Sequence, residues 1–139
     1  MKVAVAGASG RMGRALMEAI LRDSGLQLAA ALERPGHPDL GREAGELAGM
    51  PCKLKLRAYD AEALGDADVL IDFTRPEGTL GHLEACLRYG KPIVVGTTGF
   101  SDAGRERIAE AARRIAIVMA PNMAVGVSCP RPTHAPRLR

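Results

Sequence analysis

The chain has no tryptophan, two phenylalanines and two tyrosines among its 139 residues. A core without aromatic bulk must be aliphatic, and so few rings provide no stacking platform for nucleic acid. Cysteine is equally sparse: Cys52, Cys86 and Cys129 are odd in number, far apart and form no C-x-x-C pair. That spacing argues against a disulfide framework or a zinc site and fits a reducing compartment. The histidines, His37, His82 and His134, are scattered too, so no metal ligands are expected. No apolar run approaches the ~20 residues of a membrane helix, and the first one stops at Gly7, too short for a signal peptide. The cytoplasm is the expected location, with no membrane partner. Net charge is +3, but residues 129–139 hold Arg131, Arg137 and Arg139 and no acid. The body is therefore balanced and carries no electrostatic footprint for DNA or RNA.

What the chain does have is glycine in a particular place. Lys2-Val-Ala-Val-Ala-Gly7-Ala-Ser-Gly10-Arg-Met-Gly13 reads as a buried strand running into a glycine-punctuated helix start. N–H groups of a first helical turn have no intrahelical partner and carry the positive end of the helix dipole, which suits a pyrophosphate. Gly7 permits the tight turn, Gly10 the approach of backbone to phosphate, and Gly13 the packing of helix on strand. The spacing differs by one residue from the commoner G-x-G-x-x-G. Gln27-Leu-Ala-Ala-Ala-Leu32 reads as a second strand ending at Glu33, twenty residues past Gly13. An acid at that place accepts ribose hydroxyls, and Arg34 beside it suits a 2′-phosphate. A solvated strand end is the plainer alternative for this pair.

Helix–strand alternation continues. A helix is expected over residues 11–23, with Met12, Ala15, Leu16, Ala19 and Ile20 as its core stripe. Residues 34–52 are rich in glycine and proline and read as a loop with one helical turn near 42–47. Residues 53–57 alternate as a half-exposed strand, a brief helix follows at 60–64, and residues 68–74 read as a buried strand. Thr74-Arg-Pro76-Glu77 has the form of a capping box with proline in the first turn, and Gly90 ends that helix. Further elements are a strand at 92–96, a helix capped by Ser101 and running to about Arg114 with Ile108, Ala111, Ala112 and Ile115 on its inner face, and a last strand at 116–120. This order implies an α/β fold, a Rossmann-like, doubly wound parallel sheet with right-handed crossovers.

Ligands of such sheets bind beyond the carboxyl ends of the strands. Besides the glycine turn and Glu33-Arg34, that edge carries Gly96, Thr97 and Thr98 after one strand, and Ala120, Pro121, Asn122 and Met123 after the last. The threonine hydroxyls and the Asn122 amide suit a carboxamide such as that of nicotinamide, and would equally serve turns.

In Val5-Ala-Gly-Ala-Ser-Gly-Arg-Met-Gly13, Ala31-Leu-Glu-Arg34, Ala44-Gly-Glu-Leu-Ala-Gly49, Ile71-Asp-Phe-Thr-Arg-Pro-Glu-Gly-Thr79, Val95-Gly-Thr-Thr-Gly-Phe100 and Ala120-Pro-Asn-Met-Ala-Val-Gly-Val127, the chain resembles the 4-hydroxy-tetrahydrodipicolinate reductases of bacterial lysine and diaminopimelate biosynthesis. The resemblance runs over residues 1–127. It implies an NADH or NADPH site in which Gly7, Ala8, Ser9, Gly10, Arg11 and Met12 cradle the pyrophosphate. It also implies that Glu33 binds the ribose, that Arg34 favours NADPH, and that Gly96, Thr97, Thr98, Ala120, Pro121, Asn122 and Met123 position the nicotinamide end.

Members of that family continue into a second domain with a His-His-x-x-Lys stretch that serves the cyclic dicarboxylate substrate, and with the tetramer interface. Here residues 128–139 contain Pro130, Pro132 and Pro136 and no apolar period, and read as a disordered tail from a frame change or a truncated gene. Residues 1–127 are thus expected to be a dinucleotide-binding domain without its substrate domain or tetramer contacts. Asp72, Lys2, Lys53, Lys55 and Lys91 lie in or beside expected strands and are not taken as substitutes, so no catalytic residue is assigned. A short-chain dehydrogenase is disfavoured because neither Tyr59 nor Tyr89 has a lysine four residues on. A non-catalytic NAD(P)-binding module, or an inert fragment, is the other reading.

Overall fold

The computed structural model describes residues 1–119. Six parallel strands form one sheet: β1 (Lys2–Ala6), β2 (Gln27–Glu33), β3 (Arg57–Ala58), β4 (Val69–Asp72), β5 (Ile93–Val95) and β6 (Ile117–Met119). Their spatial order is β3-β2-β1-β4-β5-β6. The chain winds outward from β1 through β2 to β3, then crosses back over β1 and winds outward again. The doubly wound, Rossmann-like sheet is therefore present, with its switch point between β1 and β4. Helices α1 (Arg11–Arg22), α2 (Ala44–Ala48), α3 (Pro76–Tyr89) and α4 (Asp102–Ala111) and a 3₁₀ turn over Ala61–Leu64 connect the strands. No helix of the described residues is long and apolar enough to cross a membrane.

Strand alternation sorts the core into two layers. Val3 and Val5 join Met17 and Ile20 of α1 and Leu47 of α2 on one side. Ala4 and Ala6, one residue out of phase, join Leu83 and Cys86 of α3 and Ile108 of α4 on the other. A one-residue slip of β1 would exchange the layers, so the helices on both faces fix its register. The small alanines of β1 suit its central place, where helices cover both faces.

Four expectations are corrected. The buried face of α1 is Gly13, Met17 and Ile20, with Leu16 partly covered, while Met12, Ala15 and Ala19 are exposed. The stripe is rotated by one residue because Gly13 must lie against the turn: a Cβ there would overlap the Gly7 carbonyl and the Ala8 backbone. Residues 53–56 do not enter the parallel sheet. They run back along 41–45, with Leu56 N–H donating to the Arg42 carbonyl and Gly41 and Ala44 N–H to those of Leu56 and Leu54. Only Arg57 and Ala58 reach β2. Thr74 is not the cap of α3; Arg75 holds that place without a side-chain bond, and Pro76 opens the helix. Ala112, expected on the inner face of α4, is exposed. As expected, Ser101 Oγ caps α4 by accepting the Gly104 N–H at 3.1 Å, and Gly90 closes α3 at φ 64°. On the edge strand β6, Val118 and Met119 are 54% and 41% exposed.

Candidate functional site

The carboxyl ends of β1, β2 and β4 open into a cleft of about 920 Å³. A second cleft of about 340 Å³ adjoins it toward β5, and the two share Gly7, Gly10, Phe73, Thr74 and Arg75. The glycine turn thus stands at the middle of one continuous trough. Gly7 has φ +74°, where a side chain would be strained, and its N–H and that of Ala8 both donate to the Leu32 carbonyl, at 2.9 and 3.1 Å. Those bonds tie the turn to β2. The following first turn of α1 has no side-chain cap and no acidic residue, so its N–H groups and dipole face the trough uncompensated.

On the larger side, Glu33 reaches from the end of β2 to the turn. Its Oε1 accepts the Ser9 N–H at 3.1 Å and the Ser9 hydroxyl at 2.6 Å, and its Oε2 accepts the Arg34 N–H at 3.2 Å. His37 Nδ1 accepts the Asp39 N–H at 3.1 Å, which assigns the ring proton to Nε2, 3.2 Å from Ser9 Oγ. A relay His37 → Ser9 → Glu33 results. Arg14 Nε fixes the Ser9 carbonyl at 2.8 Å from outside. The Arg34 side chain is exposed and lines this cleft.

Deeper on the same side sits a group that scattered single histidines had not suggested. Asp72, fully buried at the end of β4, accepts His82 Nδ1–H at 2.5 Å, and the His82 ring packs on Tyr59 with centroids 4.0 Å apart. The Tyr59 hydroxyl is buried with no hydrogen-bond partner among the described residues, beside the cleft. Burial, then the neighbouring Cys86 and Asp72, push that phenol above its ordinary value. The signal for this cluster was present in the sequence: an aspartate in an otherwise apolar strand needs a buried donor.

Of the residues singled out above, Gly7, Ser9, Gly10, Arg11, Met12, Glu33, Arg34, Gly96, Thr97 and Thr98 all line the trough. Ala8 is fully buried beneath it. Gly96 lacks a Cβ because the Phe73 ring occupies that space. Thr97 is 4% exposed and its hydroxyl meets Thr79 Oγ1 at 2.7 Å, while Thr98 is exposed. Ala120, Pro121, Asn122 and Met123 lie outside the described residues, as do 128–139 and the strand residues expected beyond Met119. Among the described residues no cluster of His, Cys, Asp and Glu could hold a metal ion.

Parallel sheet, switch point and glycine-built turn define a Rossmann-like domain of the dinucleotide-binding class. Within that class the chain belongs to the family described as dihydrodipicolinate reductase, N-terminus, which matches residues 1–123. It is 55% identical over 127 residues to the 4-hydroxy-tetrahydrodipicolinate reductase of Bordetella parapertussis, covering 91% of this chain and 47% of that protein. Against the enzyme of the same name from Thiobacillus denitrificans the identity is 54% over 128 residues, covering 92% and 48%. Among solved structures, the dipicolinate-bound dihydrodipicolinate reductase of Paenisporosarcina sp. TG-14 superposes with a TM-score of 0.67 at 26% identity, covering 88% of this chain and 47% of that one. An NADP-bound aspartate semialdehyde dehydrogenase of Candida albicans shares the fold alone, with a TM-score of 0.63 at 12% identity over 85% of this chain and 41% of that one. The chain spans about half the length of these relatives.

Proposed function

We propose that this chain binds NADH or NADPH along the trough, as the cofactor-binding part of a 4-hydroxy-tetrahydrodipicolinate reductase. The observation that carries the reading is Glu33: its carboxylate already accepts one hydroxyl at 2.6 Å at the rim of the phosphate turn, the service a ribose diol requires. The fit extends to the rest of the trough. The pyrophosphate suits the uncapped start of α1, and the adenosine suits the larger cleft, where the orphaned Tyr59 hydroxyl offers a further partner. Arg34, exposed beside Glu33, suits a 2′-phosphate. The nicotinamide end suits the smaller cleft beside Met12, Gly96, Thr97 and Thr98, with residues 120–123 assigned to it from the sequence. The bound dinucleotide would supply a hydride.

Reduction of the cyclic dicarboxylate also needs that substrate held against the nicotinamide with a proton donor at hand. Among the described residues, the smaller cleft has two arginines, Arg11 and Arg75, but no carboxyl, imidazole or ammonium group in its wall. We therefore infer that this chain by itself binds the cofactor and turns over substrate negligibly, behaving in isolation as a non-catalytic nucleotide-binding module. Titration with NADH and NADPH, followed by nicotinamide fluorescence, tests the binding. Saturation in the wild type and at least tenfold weaker binding in Glu33→Ala are expected, the loss of a charge-assisted bond being worth about 1.5–3 kcal/mol. No binding by a folded wild-type chain would refute the reading, and reductase turnover by the purified chain would refute the inference about catalysis.

A further inference from the structure

Along the floor of the trough runs a chain of polar side chains, of which the binding scheme above uses only Thr97. At its centre, Asp72 Oδ2 takes the His82 Nδ1–H at 2.5 Å, while Oδ1 takes the Thr74 N–H at 2.9 Å and the Thr74 hydroxyl at 2.6 Å. Thr74 Oγ1 lies 3.4 Å from Thr79 Oγ1, and Thr79 Oγ1 lies 2.7 Å from Thr97 Oγ1. Asp72 and Thr79 are fully buried and Thr97 is 4% exposed. A carboxylate has no proton to give, so the Thr74 proton is committed to Asp72. Thr74 Oγ1 can then meet Thr79 only as an acceptor, across a long contact, while the proton between Thr79 and Thr97 can sit on either oxygen. The three hydroxyls thus stand in one line of contact from the β5 loop to Asp72, and His82 reaches the same carboxylate from the opposite side.

The ends of this chain are the two walls of the trough. His82, with Tyr59, lines the larger cleft, and Thr97 lines the smaller one. The middle supports the phosphate turn: the Thr74 methyl lies 3.1 Å from where a Cβ of Gly7 would stand, so it packs directly against that glycine.

We propose that Asp72 is a positioning residue for the dinucleotide: it orients Thr74, Thr79 and Thr97 on one side and His82 on the other, and so keeps both walls in register with the Gly7 turn. The proposal rests on the nucleotide reading above. Its physical basis is that a buried hydrogen-bonded network is worth more than its separate pairs and is felt throughout when broken at one point. Asp72→Asn is a poor test, since its amide would set an N–H against the donors of Thr74 or His82 and endanger the fold. The ends can be varied instead.

ADP carries the adenosine and pyrophosphate and nothing that reaches the β5 wall. Thr97→Val, His82→Gln and the double variant are titrated with ADP and with NADH by calorimetry. Thr97→Val is expected to weaken ADP about threefold, Thr97→Ser to restore it, and the effects of Thr97→Val and His82→Gln to be non-additive. Wild-type ADP affinity in Thr97→Val, an equal loss in Thr97→Ser, or additive effects would each overturn the proposal. If the wild-type chain binds neither ADP nor NADH, it is the nucleotide reading that fails. The network is then read from the His82 Nδ1–H resonance, which Thr97→Val shifts if the hydroxyls transmit and leaves in place if they do not.

Discussion

Gly13 and Gly81 both lie within helices, and the same substitution should change stability in opposite directions at the two. Alanine gains up to about 1 kcal/mol over glycine in a helix interior, less in a first turn. At Gly81, in α3, a Cβ would meet no atom within 4 Å, so that gain is expected nearly undiluted, at about 0.5–1 kcal/mol. At Gly13 the new methyl would overlap the Gly7 carbonyl and the Ala8 backbone. These atoms are held by their own bonds to Leu32 and cannot turn aside as a flexible side chain would. Overpacking a tight contact costs about 1–3 kcal/mol, and backbone against backbone belongs at the upper end. The net loss for Gly13→Ala is then about 2 kcal/mol. With about 3–5 °C per kcal/mol for a domain of this size, its melting temperature should fall by roughly 6–10 °C and that of Gly81→Ala rise by about 2–4 °C. Urea unfolding followed by far-ultraviolet circular dichroism, with equal slopes required of all three chains, provides the free energies. A Gly13→Ala chain as stable as the wild type would refute the argument that this glycine seats α1 on the phosphate turn.

Three further outcomes are expected. Burial, reinforced by the Asp72 carboxylate, pushes the Cys86 thiol up to about 12, whereas Cys52 is half-buried. Near pH 8 the Cys86 thiolate is then scarcer by a factor of about 10³ than in an exposed thiol, so peptide mapping after brief alkylation should find Cys52 modified and Cys86 spared until the chain is unfolded. Equal labelling of the two in the folded chain would contradict this. Ser101→Ala removes the cap of α4 and should cost about 1 kcal/mol in the same urea assay, with Ser101→Asp close to the wild type. Arg34→Ala should weaken NADPH roughly tenfold and leave NADH unchanged, the modest size reflecting an exposed guanidinium. Equal loss for both dinucleotides would remove Arg34 from the phosphate.

The sheet was legible because its strands are short apolar runs closed by glycine, proline or an acid, and because the helices between them carry strong stops such as Gly90. Two local patterns are outranked by tertiary contacts. Met12 is apolar and fits the helical period, but the buried face of α1 is set by Gly13, whose lack of a side chain is what the packing requires. Thr74 looked like a cap because its spacing to Glu77 fits, but a nearby buried carboxylate competes for the same hydroxyl and wins. Residues 53–56 alternate as a strand should, yet their partners are 41–45 rather than β2, a tertiary choice that local pattern does not encode. In the site, Glu33 and the glycine turn were legible from spacing alone. His82 was not, since its role depends on Asp72, ten residues away and in another element.

The central claim, that one dinucleotide lies across the Gly7 turn, is tested most directly by amide chemical-shift mapping of the chain during titration with NADH. The account predicts saturable shifts concentrated at residues 7–13, at Glu33 and Arg34, at 73–82 and at 96–98, with the body of α4 unmoved. Shifts scattered over the surface, or confined elsewhere, would contradict it.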